Sequence, residues 1–133
     1  MCAGSKISTA LLNRTVSKCR EMFNEYIPDV WIFTDFFKGD KGSQSPGYSL
    51  SLVAETNKGG LLTADAVNDG SDPEEMAKEC CLRLLDEVKN AGVVSTHYQW
   101  FLLTLMAFSE RKTSTAKLGR VSPFTIECLR ILK

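Results

Sequence analysis

The strongest constraint on the fold lies in residues 48–64. Tyr48, Leu50 and Leu52 alternate with Ser49 and Ser51. Alternation with a period of two marks a strand with one apolar face and one polar face. Asn57-Lys58-Gly59-Gly60 follows and supplies the glycines that a tight turn needs for positive φ. Leu61-Leu62-Thr63-Ala64 then returns as the partner strand. An antiparallel hairpin is predicted here.

The flanking segments read as helices and further strands. Ser8 or Thr9 can cap a helix on which Leu12, Val16, Cys19, Phe23 and Ile27 form one apolar stripe, with Pro28 as its stop. Residues 30–34, rich in β-branched and aromatic side chains, predict a strand, and residues 39–47 a loop of glycine, serine and proline. The first half therefore reads helix–strand–strand–strand. Residues 68–72 form a polar linker, the best candidate domain boundary. Asp72-Pro73-Glu74-Glu75 combines an N-cap, proline at the first helical position and a capping-box glutamate. The helix that follows carries Met76, Cys80, Leu84 and Val88 on one stripe, widened by Cys81 and Leu85, and ends at Gly92.

Residues 98–108 predict a helix that is apolar on nearly all sides, which must be covered on most faces. If that cover is missing, its surface is exposed and prone to association. A strand is expected near residues 115–121. Ser122-Pro123 opens a last helix with Ile126, Leu129 and Leu132 inward and no stop signal before Lys133. The chain thus reads as a piece of a larger intracellular α/β protein, without internal repeats.

Composition excludes several classes. Hydrophobic residues make up 44% and charged residues 24%, ordinary for a globular protein. No apolar run reaches the length of about 18 residues needed to span a membrane, and the N-terminus lacks the pattern of a signal peptide. Cysteines number five, with no C-x-x-C spacing. That favours a reducing compartment over a disulfide framework. With His97 as the sole histidine, a Cys/His zinc site has poor spacing. His97 reads as a structural residue at a helix start. There is no nucleophile elbow around a serine and no phosphate-binding glycine pattern opening a helix. Asp29 and Asp35 read as strand-end residues, and Cys80 and Cys81 as core.

Charge is the one site-like feature. The chain is neutral overall, yet residues 109–133 hold six basic residues (Arg111, Lys112, Lys117, Arg120, Arg130 and Lys133) against Glu110 and Glu127. This surplus of four points to an acidic partner, nucleic acid first. Arg130 and Lys133, three apart on the expected helix, can share a face, and Lys117 and Arg120 lie just upstream. Contacts of this type to phosphates are salt-sensitive and blind to sequence.

Three stretches together resemble one family. They are Pro28-Asp29-Val30-Trp31-Ile32-Phe33-Thr34-Asp35; Ser45-Pro46-Gly47-Tyr48-Ser49-Leu50-Ser51-Leu52-Val53-Ala54-Glu55-Thr56; and Leu118-Gly119-Arg120-Val121-Ser122-Pro123-Phe124-Thr125-Ile126-Glu127-Cys128-Leu129-Arg130. They look like the RNA 3'-terminal phosphate cyclase family, in particular its cyclase-like branch of nucleolar ribosome-assembly proteins. The resemblance runs over nearly the whole chain and covers roughly the C-terminal third to half of a full-length member. It implies an α/β (α+β) fold. Residues 1–71 would be part of a small inserted α/β domain. Residues 72–133 would be the last repeat unit, a four-stranded sheet backed by two helices, truncated at its C-terminus.

The resemblance also implies a function. True cyclases adenylylate a histidine in the segment matching residues 119–126, and alignment puts Phe124 at that place. A phenyl ring has no lone-pair nitrogen to attack ATP, so no cyclase activity and no cofactor are expected. The implied role is in small-subunit pre-rRNA processing, in the nucleus and nucleolus. The implied partners are pre-rRNA, a nucleolar GTPase and the small-subunit processing complex, with no membrane. Lys117, Arg120, Arg130 and Lys133 are the expected RNA contacts. A pre-rRNA endonuclease acting through the helix matching residues 129–133 is the alternative, and a working cyclase the third reading.

Overall fold

The computed structural model describes residues 1–27, 29–110 and 113–133. The stop expected at Pro28 and the charges of Arg111 and Lys112 therefore lie outside the described residues. The elements run β1 (Cys2–Ser5), α1 (Thr9–Asn24), β2 (Thr34–Phe37), β3 (Gly47–Glu55), β4 (Leu61–Val67), α2 (Pro73–Asn90), α3 (Gln99–Ala107) and α4 (Pro123–Ile131), with 3-10 turns at Gly39–Lys41 and Thr96–Tyr98. The four strands form one mixed sheet in the order β2-β1-β3-β4. The fold is α/β, as the patterns predict. The chain divides into two units: Met1–Leu52 with Ala64–Arg83, and Val53–Thr63 with Leu84–Lys133.

In the first unit a strand appears that local pattern did not predict. β1 pairs in parallel with β2, Cys2 opposite Thr34 and Ser5 opposite Phe37, and antiparallel with β3, Cys2 opposite Leu50 and Ser5 opposite Gly47. β1, α1 and β2 thus form a βαβ unit. This pairing corrects the strand expected at residues 30–34. The ladder begins with the Cys2 N–H donating to the Phe33 carbonyl at 2.8 Å. The ordered strand therefore starts at Thr34, and Trp31, expected within it, is 81% exposed.

α1 starts where predicted. Ser8 is its N-cap, and its side chain accepts from the Ala10 N–H at 3.2 Å. Leu12, Val16, Cys19 and Phe23 are buried as the stripe requires, joined by Thr15, whose hydroxyl donates to the Leu11 carbonyl at 3.0 Å. Ile27, the last residue of the expected stripe, falls beyond the helix and is exposed. From the sheet, Cys2, Tyr48, Leu50, Leu52 and Ala64 are buried, and from α2, Met76, Ala77, Cys80 and Cys81. The alternation along β3 is therefore a true inside–outside pattern. Full burial of a side chain such as Leu50 is worth about 1.5–3 kcal/mol.

Asp72 caps α2 through its carboxylate, which accepts from the Glu74 N–H at 3.2 Å. Arg14 reaches from α1 to this helix start, donating to Asp72 at 2.8 Å and Glu74 at 2.9 Å. The bond to Glu74 and then that to Asp72 raise the Arg14 pKa further. Four free thiols share the core: Cys2, Cys19, Cys80 and Cys81. Burial pushes the Cys2 thiol up to about 11 and Cys80 up to about 12. Cys81 is held up first by its hydrogen bond with Cys19 and then by burial.

The second unit holds the hairpin tip. The Thr56 N–H donates to the Gly60 carbonyl at 2.8 Å, the Thr56 hydroxyl accepts from the Gly60 N–H at 2.8 Å, and Gly59 has φ of 78°, as the turn demands. Leu61 forms a parallel bridge with Val94, and Ser95 is buried with its hydroxyl accepting from the Thr63 N–H at 2.6 Å. Leu62 and Leu84 are buried here, whereas Val88, expected on the α2 stripe, is exposed.

Three other expectations change in this unit. Residues 115–121 form no strand. Lys117 has a bond to Val93, but no ladder forms. α3 exists, but its apolar surface is largely uncovered: Trp100, Phe101, Leu105 and Phe108 are exposed, and Gln99 is its buried residue. α4 opens at Ser122 as predicted, with the Ser122 hydroxyl accepting from the Thr125 N–H at 3.0 Å. Its inward face differs, however. Thr125 is buried and Cys128 half-buried, while Ile126, Leu129 and Leu132 are exposed. The hydrogen bonds that anchor buried Thr125, to Gln99 and Ser122, set that rotation.

Candidate nucleic-acid interface

Two buried polar side chains organise the C-terminal part of the second unit. Gln99, at the start of α3, is 0% exposed. Its Nε2 donates to the Arg120 carbonyl at 3.0 Å, and its Oε1 accepts from the Thr125 hydroxyl at 3.2 Å. Both ends of the amide are thus satisfied, which a buried amide requires. One side chain ties together the start of α3, the loop before α4 and the first turn of α4.

The loop has two further anchors. The Lys117 carbonyl accepts from the Val93 N–H at 3.0 Å. Gly92 and Gly119 approach so closely that a Cβ on Gly92 would lie 2.7 Å from the Gly119 nitrogen. Backbone of that proximity tolerates only glycine. The carbonyls of Lys117 and Arg120 are thus engaged by the protein, while both residues are exposed to solvent.

Phe124 occupies the first turn of α4 and is 64% exposed. Its ring meets Trp100 edge-on, with centroids 6.0 Å apart and planes at 88°, and Trp100 meets Phe101 in the same manner at 5.7 Å and 70°. Edge-to-face packing is the geometry aromatic quadrupoles favour. A row of three rings is therefore held at the surface beside the anchored loop.

The four expected RNA contacts come from three places along the chain. Lys117 and Arg120 belong to the loop. Arg130 sits in the last turn of α4 and is ion-paired with Glu127. It lies six residues beyond Phe124, about 9 Å along the helix axis. Lys133 falls past the end of α4 at Ile131, so helical spacing does not put it on a face with Arg130. His97 is exposed in the 3-10 turn before α3, consistent with a place at a helix start. Among the described residues, no group of three or more His, Cys, Asp or Glu side chains stands ready to hold a metal ion.

Sequence reading missed Gln99 and Thr125, and it missed Trp100 as a surface residue. A signal was present in Gln99, the single amide side chain in residues 98–108. A lone amide at the start of an apolar helix asks for partners that spacing alone does not name.

Comparison with known proteins agrees with the architecture. Residues 1–89 match the family described as RNA 3'-terminal phosphate cyclase (RTC), insert domain, a match that takes in α2 as well as the strands. The chain is 38% identical to the human RNA 3'-terminal phosphate cyclase-like protein over 134 residues, covering 96% of this chain and 36% of that protein. It is 38% identical to the rRNA processing protein rcl1 of Schizosaccharomyces pombe over 120 residues, covering 90% of this chain and 33% of that protein. A Drosophila melanogaster protein named as a probable cyclase-like protein is 35% identical over 136 residues, with 96% and 35% covered. The chain spans about a third of the length of these relatives. It belongs to the RNA 3'-terminal phosphate cyclase family and is similar to that family's cyclase-like members.

Proposed function

We propose that this chain is part of a ribosome-assembly factor that acts in small-subunit pre-rRNA processing, binds RNA through its C-terminal basic surface, and is not a cyclase. The observation that carries the reading is Phe124. The family resemblance aligns this residue with the adenylylated histidine of true cyclases, and an exposed phenyl ring stands there in the first turn of α4. Carbon and hydrogen alone cannot take up an adenylyl group. The printed name of the S. pombe relative, an rRNA processing protein, supports the choice of substrate class.

In this reading Lys117 and Arg120 contact phosphates from a fixed loop. Arg130 does so by exchanging Glu127 for a phosphate oxygen, and Lys133 adds charge beyond the helix. The partners are pre-rRNA, a nucleolar GTPase and the small-subunit processing complex, and the location is the nucleolus. We place the insert in residues 1–71 and the last repeat unit in residues 72–133, a boundary earlier than residue 89, where the insert-domain match ends.

Two measurements test it. Incubation with radiolabelled ATP and magnesium should leave the protein unlabelled, and covalent AMP would overturn the non-cyclase reading. Affinity for structured RNA should fall steeply as salt rises, because phosphate contacts release counterions. Binding without salt dependence, or no binding, would remove the basic surface as an RNA contact.

A further inference from the structure

We infer that the ring row at Trp100 and Phe124 is a stacking platform for unpaired bases, so that the RNA engaged by this surface is single-stranded. The inference rests on the RNA-binding reading above and deepens it. Phe124 meets Trp100 edge-on and is 64% exposed, leaving most of its ring open. Arg120 precedes it by four residues, and the Arg120 carbonyl is held by Gln99, the neighbour of Trp100 in sequence. Thr125, the neighbour of Phe124, bonds to the same amide, so the backbone at Arg120 and the first turn of α4 are both fixed to the start of the helix that carries Trp100. A cationic track beside surface aromatics is how proteins hold single strands, with phosphates on the charges and bases on the rings. In an A-form duplex the base faces are hidden, and such a surface could meet only the backbone.

The charge balance selects nucleic acid over an apolar protein partner. Lys117 and Arg120 both face solvent, and the one described acid on α4, Glu127, is already paired with Arg130. A docking protein that covered the loop would have to bury these cations, whereas an RNA strand supplies their counter-charge.

The test uses the full 133-residue chain, with labelled oligouridylate and a labelled RNA duplex, each about ten nucleotides long, a length within the usual single-strand site size. Anisotropy titrations are run at several salt concentrations. Phe124→Ala should weaken oligouridylate binding at least about fivefold and leave duplex binding and both salt slopes unchanged. Phe124→Tyr should restore wild-type affinity and so exclude a folding defect. Lys117→Ala with Arg120→Ala should weaken both RNAs and flatten the salt slopes. If Phe124→Ala affects neither RNA, or both equally, stacking is overturned while RNA binding stands. If neither RNA binds the unaltered chain, both readings fall together. Sedimentation that shows a dimer dissociated by Phe124→Ala would give this face to a second copy of the chain and overturn the platform.

Discussion

The two units of this protein sort their side chains in opposite ways. In the first, the apolar residues of α1 and β3 turn inward, and Phe23 and Leu50 are buried. In the second, α3 and α4 bury Gln99 and Thr125 and leave Trp100, Phe108, Phe124 and Ile131 at the surface. The first unit is held by apolar area, which is non-directional and forgiving of detail. The second is held by a few directional hydrogen bonds, which fix positions but contribute only about 1 kcal/mol each. Directional anchoring suits a surface whose exposed groups must stay in place above a small apolar core, Leu62 and Leu84.

This contrast can be broken at several points. Phe23→Ala should lower stability by about 3–5 kcal/mol in urea unfolding, since it empties a filled core position in α1. A much smaller loss would mean that the first unit is less closely packed than its burial implies. Gln99→Leu comes next. It keeps bulk but strips the Arg120 carbonyl and Thr125 hydroxyl of their partner, costing about 1–3 kcal/mol. A stabilising effect would show that apolar burial governs the second unit as well.

Alkaline pH separates the units further. The folded Cys2 and Cys80 thiols titrate at about 11 and about 12, against an ordinary 9.0. Between these values the unfolded chain releases protons that the folded protein retains. Stability should therefore be level with respect to these thiols below pH 9 and should decline as pH rises from 9 through 12. Cys80→Ala should make that decline shallower, and an unchanged slope would assign it to other groups. The smallest effect is expected at Phe108→Ala. Its ring is 80% exposed, so stability should change by no more than about 0.5 kcal/mol. Set beside Phe23→Ala, this variant measures the contrast with one residue type.

Legibility from sequence divides between local signals and long-range pairing, not between the two units. α1, β3, the Gly59 turn and the start of α2 were readable because local periodicity, caps and turn chemistry determine them. β2 was misplaced because its register is set by β1, a strand of four residues with no periodicity to detect. In α4 the pattern of Ile126, Leu129 and Leu132 suggested the wrong inward face, since an amide on another helix decides which side of α4 is buried. Of the candidate site, the charges of Lys117, Arg120, Arg130 and Lys133 were visible as composition. Their separation into a loop pair, a helix residue and a residue past the helix end depends on where elements stop, which spacing alone does not specify. Trp100 was hidden inside a run that reads as uniformly apolar.

The place of β1 has a kinetic consequence. Its four residues lie between β2 and β3, so the sheet becomes continuous only when segments more than 40 residues apart in sequence come together, Cys2 with Leu50 and Ser5 with Gly47. The hairpin can form by local zippering within microseconds, but the seating of β1 must wait for closure of a long loop. Refolding followed by pulsed hydrogen exchange should accordingly protect the Gly60 amide in the turn before the Cys2 amide bonded to Phe33. Protection of both in one phase would show that the sheet assembles as a single cooperative event.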